Sequence, residues 1–258
     1  FPIYSVLVAL HKEASVAPQI VRSMSRLDWP QSRLEVIYVC EDDDHETQEA
    51  LASLKLPASQ RIMAVPPVGP RTKPKALNFA LEQCSGEFVV IYDAEDRPDP
   101  KQLREAYRRF RDEGPEVACL QAPLLISNAN QGWLSCLFAA EYACHFYALL
   151  PFLDHRSAPL PLGGTSNHFR REALETVGAW DPHNVTEDAD LGIRLCRHGY
   201  RCAVIGLPTL EDAPESMADW IPQRTRWIKG WMQTFLVHNR DIKQIYKNIG
   251  MKNLILFE

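Results

Sequence analysis

The chain has 258 residues, 46% of them hydrophobic and 24% charged, with a formal net charge of −5. That composition is ordinary for a globular protein with a sizeable core. The acidic balance argues against a general nucleic-acid binder, whose basic face would dominate.

Strands and helices alternate through the first half. IYSVLVAL is a short β-branched strand, and SVAPQIVRSMSRL has helical spacing. LEVIYVC is a strand, HETQEALASL a helix, RIMAV a strand, KPKALNFALEQC a helix and EFVVIYD a strand. DPKQLREAYRRFRDEG reads as a helix with Asp99 as N-cap and Pro100 at its first position, and EVACLQA follows as a strand. Such alternation implies a mostly parallel sheet covered on both faces.

The second half is less regular. GWLSCLFAAEYACHFYALL looks helical, APLPLGGTSNHFRR is Pro/Gly-rich and then extended, and EALETVG is a short helix ended by Gly178. DADLGIRLCRHG is a helix ended by Gly199, RCAVIG is a strand, and DWIPQRTRWIKGWMQTFLVH is one helix with Pro222 near its start. No run of about 18 uninterrupted apolar residues occurs, so nothing reads as a membrane span. The nearest approach, Cys136 to Leu153, is broken by Glu141 and His145 and reads as a buried core helix ahead of an interfacial one. Seven cysteines, without a C-x-x-C pair, read as reduced core residues in a cytosolic compartment, and eight histidines show no zinc-type spacing. The chain opens at Phe1 directly into a strand and stops at Glu258 inside an apolar run, without a signal peptide. Both ends imply a piece excised from a longer protein.

Three acidic clusters fall where ligands gather in an open α/β sheet, at the carboxyl ends of strands or the start of a helix. CEDDD (Cys40 to Asp44) follows LEVIYV, DAED (Asp93 to Asp96) follows EFVVIY, and TED (Thr186 to Asp188) opens the helix ADLGIRLCRHG. Acids at helix N-termini are favoured by capping and by the dipole, so the first and third read singly as caps. DAED resists that reading: crowded carboxylates repel unless a cation sits between them, and a hard divalent cation with phosphate oxygens suits them. No glycine-rich dinucleotide fingerprint, P-loop or G-x-S-x-G elbow competes, and GGT at Gly163 to Thr165 reads as a turn.

The order of motifs is more specific than any one of them. ALHKEA, the second-strand acids, KPKALNFAL before GEFVVIYDAED, GGTSNHFRREAL, TEDADLGIRL and QRTRW follow one another along nearly the whole chain. This order resembles family 2 inverting glycosyltransferases with the GT-A fold, in their cellulose-synthase-like branch. The resemblance implies one catalytic domain over residues 1–258, with a Rossmann-like, mostly parallel central sheet. A nucleotide-binding half would cover about 1–125 and a less regular acceptor half about 126–240. It implies His11, Glu13, Glu41 and Asp43 at the base and ribose, with Glu41 standing where the family has aspartate. It implies Lys75 and Asn78, with Lys73 as a substitute for Lys75, on the diphosphate side. Asp93 and Glu95 match the D-x-D metal motif for Mg2+ or Mn2+, with glutamate in second place and Asp96 as a third ligand. Asp188, within the matched Thr186–Glu187–Asp188, is the implied catalytic base, and Gln223, Arg226 and Trp227 match Q-x-x-R-W.

These positions make chemical sense. An arginine fork suits phosphate oxygens that gain charge as a nucleoside diphosphate leaves, and a tryptophan face suits a sugar ring. Gln223, Arg226 and Trp227 share one helical face, whereas Arg224 points elsewhere and reads as a surface charge; Trp220 and Trp231 read equally as packing or membrane-surface anchors. A first-turn aspartate is a weak base because the dipole stabilises its anion, unless burial restores its basicity. The resemblance further implies a UDP-sugar, or alternatively a GDP-sugar, as donor and a growing β-linked polysaccharide as acceptor. It places the domain on the cytoplasmic face of a bacterial inner membrane, anchored by segments outside this chain, with no nucleic-acid partner. The rival readings are single addition to a lipid or small acceptor, a nucleotidyltransferase, and a non-catalytic scaffold kept open by Glu41 and Glu95.

Overall fold

The computed structural model describes residues 1–257; the expected terminus Glu258 lies outside the described residues. Strands β1 (Tyr4–Leu10), β2 (Leu34–Glu41), β3 (Gln60–Val65) and β4 (Phe88–Asp93) alternate with helices α1 (Ala17–Met24), α2 (His45–Ala52) and α3 (Lys73–Gln83). After β4 come β5 (Arg97–Pro98), α4 (Gln102–Glu113), β6 (Val117–Gln121) and β7 (Leu124–Ile126). Then follow α5 (Trp133–Cys144), a π-helical turn (His145–Leu149), α6 (Leu150–His155), β8 (Asn167–Arg170) and α7 (Arg171–Thr176). The chain continues through α8 (Glu187–Arg197), β9 (Arg201–Val204), β10 (Thr209–Glu211), α9 (Met217–His238) and α10 (Ile242–Phe257), the last broken at Gly250.

Seven strands form one sheet in the order β3-β2-β1-β4-β8-β6-β9, and β5, β10 and β7 form a second, small sheet. The large sheet is parallel apart from β8, which runs antiparallel to both β4 and β6. Its central strands feed both faces with the period of two that a pleat imposes. Tyr4, Val6, Val8 and Leu10 of β1 pack with α1 and α4 residues such as Ile20 and Phe110, whereas Leu7 packs with Leu77 of α3 and Leu191 of α8. The continuous apolar runs of β1, β2 and β4 are those of strands buried on both sides.

Three features position the site. Strand order reverses at β1, with β2 on one side and β4 on the other, which opens a crevice at the strands' carboxyl ends. Because β8 is antiparallel to β4, the segment entering β8 is carried to the carboxyl end of β4, where Ser166 N donates to Ile91 O at 2.8 Å. Helix α9 is then stapled across α8. A Cβ on Gly230 would sit 2.4 Å from Thr186 Cγ2, so only glycine permits this approach. Beneath it Asn184 Nδ2 donates to Thr234 Oγ1 at 3.2 Å, and His238 pairs with Asp190 at 2.8 Å.

Several expectations need correction. Asp99 is not the cap of α4: its carboxylate accepts from Lys101 N at 2.8 Å, in a turn that precedes the helix. Cys40, Cys84, Cys119 and Cys202 are buried and free, but Cys136 and Cys144 are exposed. The stretch Cys136–Leu153 is not a buried helix. Leu137, Tyr147, Leu149 and Phe152 are exposed along it, since only one side meets the sheet. It is nonetheless the central part of a segment, Trp133–His155, long and apolar enough to span a membrane. The small second sheet and α10 have no counterpart in the sequence reading.

Candidate active site

The crevice between β1, β2 and β4 is a cavity of about 390 Å³. His11, Glu13, Glu41, Asp93, Glu95 and Arg226 line it, along with Arg71, Thr72 and Lys73. Most of the expected nucleotide residues therefore converge, although they come from four separate segments. The loop after β1 is held by its backbone: Lys12 N donates to Asp44 Oδ2 at 2.6 Å and Glu13 N to Thr47 Oγ1 at 3.0 Å. Burial raises the Glu13 carboxyl, reinforced by Asp93 and Glu95 and opposed by the His11 N–H.

Three expected residues sit elsewhere. Lys75 Nζ binds both oxygens of the buried Glu41, at 3.1 and 3.2 Å, and Pro66 O at 2.6 Å. Asp43 pairs with Arg71 at 2.8 Å on the surface. Asn78 clamps the backbone of Trp180, donating to its O at 2.7 Å and accepting from its N at 3.1 Å. None of the three lines the crevice.

At the end of β4, Lys73 Nζ contacts the Asp93 carboxylate and donates to Gly164 O at 2.7 Å. Lys73, the expected substitute, thus lines the crevice, whereas Lys75, the first expectation, does not. Asp96 is turned inward and fully buried; it accepts from Asp93 N at 2.8 Å and from the Thr165 hydroxyl. That arrangement shapes the strand end and leaves Asp96 no surface to offer a cation in the cleft. Glu95 is exposed to the cleft, its carboxyl raised by burial and then by Asp93 and Asp212.

Among the described residues no three acidic, histidine or cysteine side chains converge as a closed metal cage. Two carboxylates, Asp93 and Glu95, face one cavity, and the Glu95 carboxyl is raised by burial and then by its neighbour Asp93. Such an open, oxygen-only site fits a hard divalent cation that takes its remaining ligands from phosphate oxygens and water.

Across the cleft, α8 presents Glu187 and Asp188 in its first turn, with Thr186 at the N-cap. Burial raises both carboxyl groups, Asp188 to about 6, against the Ala189 N–H and Lys73, which lower it. Desolvation therefore outweighs the dipole, and Asp188 has the basicity that a first-turn acid would otherwise lack. Its Oδ2 lies beside Gly164, where a Cβ would approach to 3.3 Å. A second cavity, of about 570 Å³, joins Asp93 and Glu95 to Glu187, Asp188, Gln223, Arg226 and Trp227. Arg226 lines both cavities and has no ion-pair partner among the described residues. The buried Gln223 Oε1 also has no hydrogen-bond partner among the described residues.

Arg224 is not a plain surface charge. It forms a two-pronged pair with Glu141 of α5, at 2.5 and 2.7 Å, and its guanidinium lies over the rings of Phe138, Trp227 and Trp220. Gly163–Thr165, expected to be a turn, is a wall of the site, and sequence reasoning passed over Glu211 at the end of β10. Glu211 lines the second cavity, and burial pushes its carboxyl up to about 7 against the nearby Tyr142, which lowers it. Its signal was present: like Glu41 and Asp93, it is an acid that ends a strand.

The sheet crevice thus gathers acids, a lysine and an arginine without an ion-pair partner among the described residues, facing the raised Asp188 carboxyl across one cleft. The sequence profile described as "Glycosyltransferase like family 2" matches residues 2–230, and the chain belongs to that family. It is 27% identical over 234 residues to "Probable glycosyltransferase YdaM" of Bacillus subtilis, covering 89% of this chain and 55% of that protein. It is 29% identical over 248 residues to the "Beta-monoglucosyldiacylglycerol synthase" of Synechocystis, covering 94% and 50%. It is 26% identical over 250 residues to the "Cellulose synthase catalytic subunit [UDP-forming]" of Xanthomonas axonopodis, covering 93% and 33%. The chain spans about half the length of the first two of these relatives.

Among solved structures, the mannosyltransferase PcManGT of Pyrobaculum calidifontis, in complex with GDP-Man and Mn2+, superposes with a TM-score of 0.73 at 23% identity. That match covers 96% of this chain and 68% of the other. Glucosyl-3-phosphoglycerate synthase of Mycobacterium tuberculosis, in complex with Mn2+, UDP and glucosyl-3-phosphoglycerate, gives 0.60 at 18%, covering 92% and 79%. The fold is the GT-A fold.

Proposed function

We propose that this domain transfers a sugar from a nucleoside-diphosphate sugar to an acceptor hydroxyl with inversion at the anomeric carbon. The observation that carries the reading is the opposition, within one cleft, of Asp188 on α8 to Asp93, Glu95 and Arg226. Asp188 takes the proton of the acceptor hydroxyl as its oxygen bonds to the anomeric carbon. The bond from that carbon to the diphosphate breaks on the opposite face. Arg226 and Lys73 lie where negative charge grows on the departing phosphate oxygens, so they favour the transition state over the ground state. His11, Glu13 and Glu41 border the part of the crevice suited to base and ribose. Mg2+ or Mn2+ between Asp93 and Glu95 would add positive charge at the diphosphate when bound.

Gln223 lines the cleft beside Arg226, and Trp227 borders the acceptor side. The Q-x-x-R-W resemblance supports a growing β-linked glycan as acceptor and UDP as the donor nucleotide, with GDP as the alternative. Single addition to a lipid is supported by a different observation. An apolar groove of about 490 Å³, walled by Phe146, Leu149, Leu162, Trp227, Ile228 and Trp231, ends at Asp188. Product length separates the two acceptors. The exposed apolar residues of α5, α6 and α9, including Leu137, Phe152, Ile228, Met232 and Leu236, support placing this face against a membrane. In a bacterial cell that surface is the cytoplasmic face of the inner membrane.

The deciding experiment is calorimetric titration of UDP and GDP with and without Mn2+, in the wild type and in Asp93→Ala. The expected result is Mn2+-dependent binding of one nucleotide that the substitution abolishes. A folded wild-type protein that binds neither nucleotide overturns the proposal.

A further inference from the structure

The geometry points to Arg224, held by Glu141, as a positioning residue that fixes the Trp227 indole as the wall between the catalytic cleft and the apolar groove. Trp227 is the element that needs fixing. It lines both the 570 Å³ cleft and the 490 Å³ groove, each of which reaches Asp188. A rotation of its ring would merge the two spaces and change the angle at which an acceptor meets the base.

The ring is held by more than packing. The Arg224 guanidinium carbon lies 4.7 Å from the Trp227 centroid, 4.5 Å from that of Phe138 and 5.5 Å from that of Trp220. A planar cation among aromatic faces is attracted by their quadrupoles, with an orientation preference that an aliphatic side chain lacks. The two-pronged pair with Glu141 fixes the plane of that cation and ties α9 to α5. The Arg224 side chain is 16% exposed, so water screens the arrangement little, whereas Glu141 stands 49% exposed at its rim. Arg226, two residues on, faces the crevice without an ion-pair partner among the described residues, so the two arginines of QRTRW divide the labour. One faces the departing phosphates and the other holds the acceptor wall. The clamp rests on the proposed reading of Trp227 as the acceptor-side wall; the contacts themselves do not.

The test separates the two. The domain is labelled with ¹⁵N-tryptophan, and the Trp227 indole resonance is assigned by Trp227→Phe. Arg224→Met is expected to move that resonance and lower its heteronuclear NOE, with the core indoles of Trp29 and Trp180 unchanged. Arg224→Lys, which keeps the charge but not the fork, falls between. Glu141→Gln, at an exposed position that folding tolerates, shifts the same resonance in the same direction. Mn2+-dependent binding of the nucleotide that the wild type takes, UDP or GDP, stays within about twofold in all three variants. In the full-length protein in membranes, supplied with radiolabelled UDP-glucose or GDP-mannose, Arg224→Met raises sugar released to water relative to sugar transferred. A Trp227 resonance unmoved in folded Arg224→Met overturns the clamp, as does nucleotide binding that falls in parallel. If the wild type binds neither nucleotide, the proposed function fails, while the indole comparison still reads the clamp.

Discussion

Glu211 offers a quantitative check on the electrostatics of the cleft. Its carboxyl is raised to about 7 from an ordinary 4.5, first by burial and then by Asp93 and Glu95, against Tyr142 and Lys73. The folded state therefore holds this proton more tightly than the unfolded chain. The associated stability is fully present below pH 4.5 and is lost as pH rises through about 7. Relative to low pH, the raised carboxyl costs the fold about 1 kcal/mol at pH 5, where it must keep a proton that the unfolded chain releases, and about 3 kcal/mol at pH 8, where it is ionised. Glu211→Gln keeps the shape and a side-chain oxygen near Tyr142 and removes the charge. In a domain of this size it should raise the melting temperature by about 6 °C or more at pH 8 and by about 2 °C at pH 5. The assay is a pair of thermal melts at the two pH values, in chelator so that no cation compensates the carboxylates. A stabilisation that does not grow with pH, or a loss of stability at pH 8, refutes the argument that burial sets this group.

Asp188→Asn should lower sugar transfer by about 10²–10⁴-fold while leaving nucleotide binding intact, measured by product formation and calorimetry together. Because the Asp188 carboxyl is raised to about 6, wild-type kcat/KM should fall as pH drops below about 6 rather than below the ordinary carboxylate range. Gly230→Val should cost about 1–3 kcal/mol in urea melts, since its side chain meets Thr186 at the cap of α8. The same change should reduce transfer by displacing Asp188, and Gly230→Ala should do so less.

Much of this molecule was legible before folding. Alternating apolar runs and helical spacings set the parallel sheet, because a strand buried on both faces and an amphipathic helix each leave a period in the chain. Acids ending β2 and β4 were readable for the same reason: the carboxyl end of a parallel strand is where the chain leaves the core. The order of motifs then named the family. What the chain order cannot carry is which side chains meet once strands are paired. Only the antiparallel β8 brings Gly163–Thr165 to Asp93 and Asp188, 70 or more positions from the former. Only the packing of α5 on α9 turns Arg224 from a solvent charge into a partly buried cation paired with Glu141, 83 positions away. Whether Asp188 could act as a base depended on desolvation against a helix dipole. Desolvation is a property of the assembled cleft, which no local spacing records.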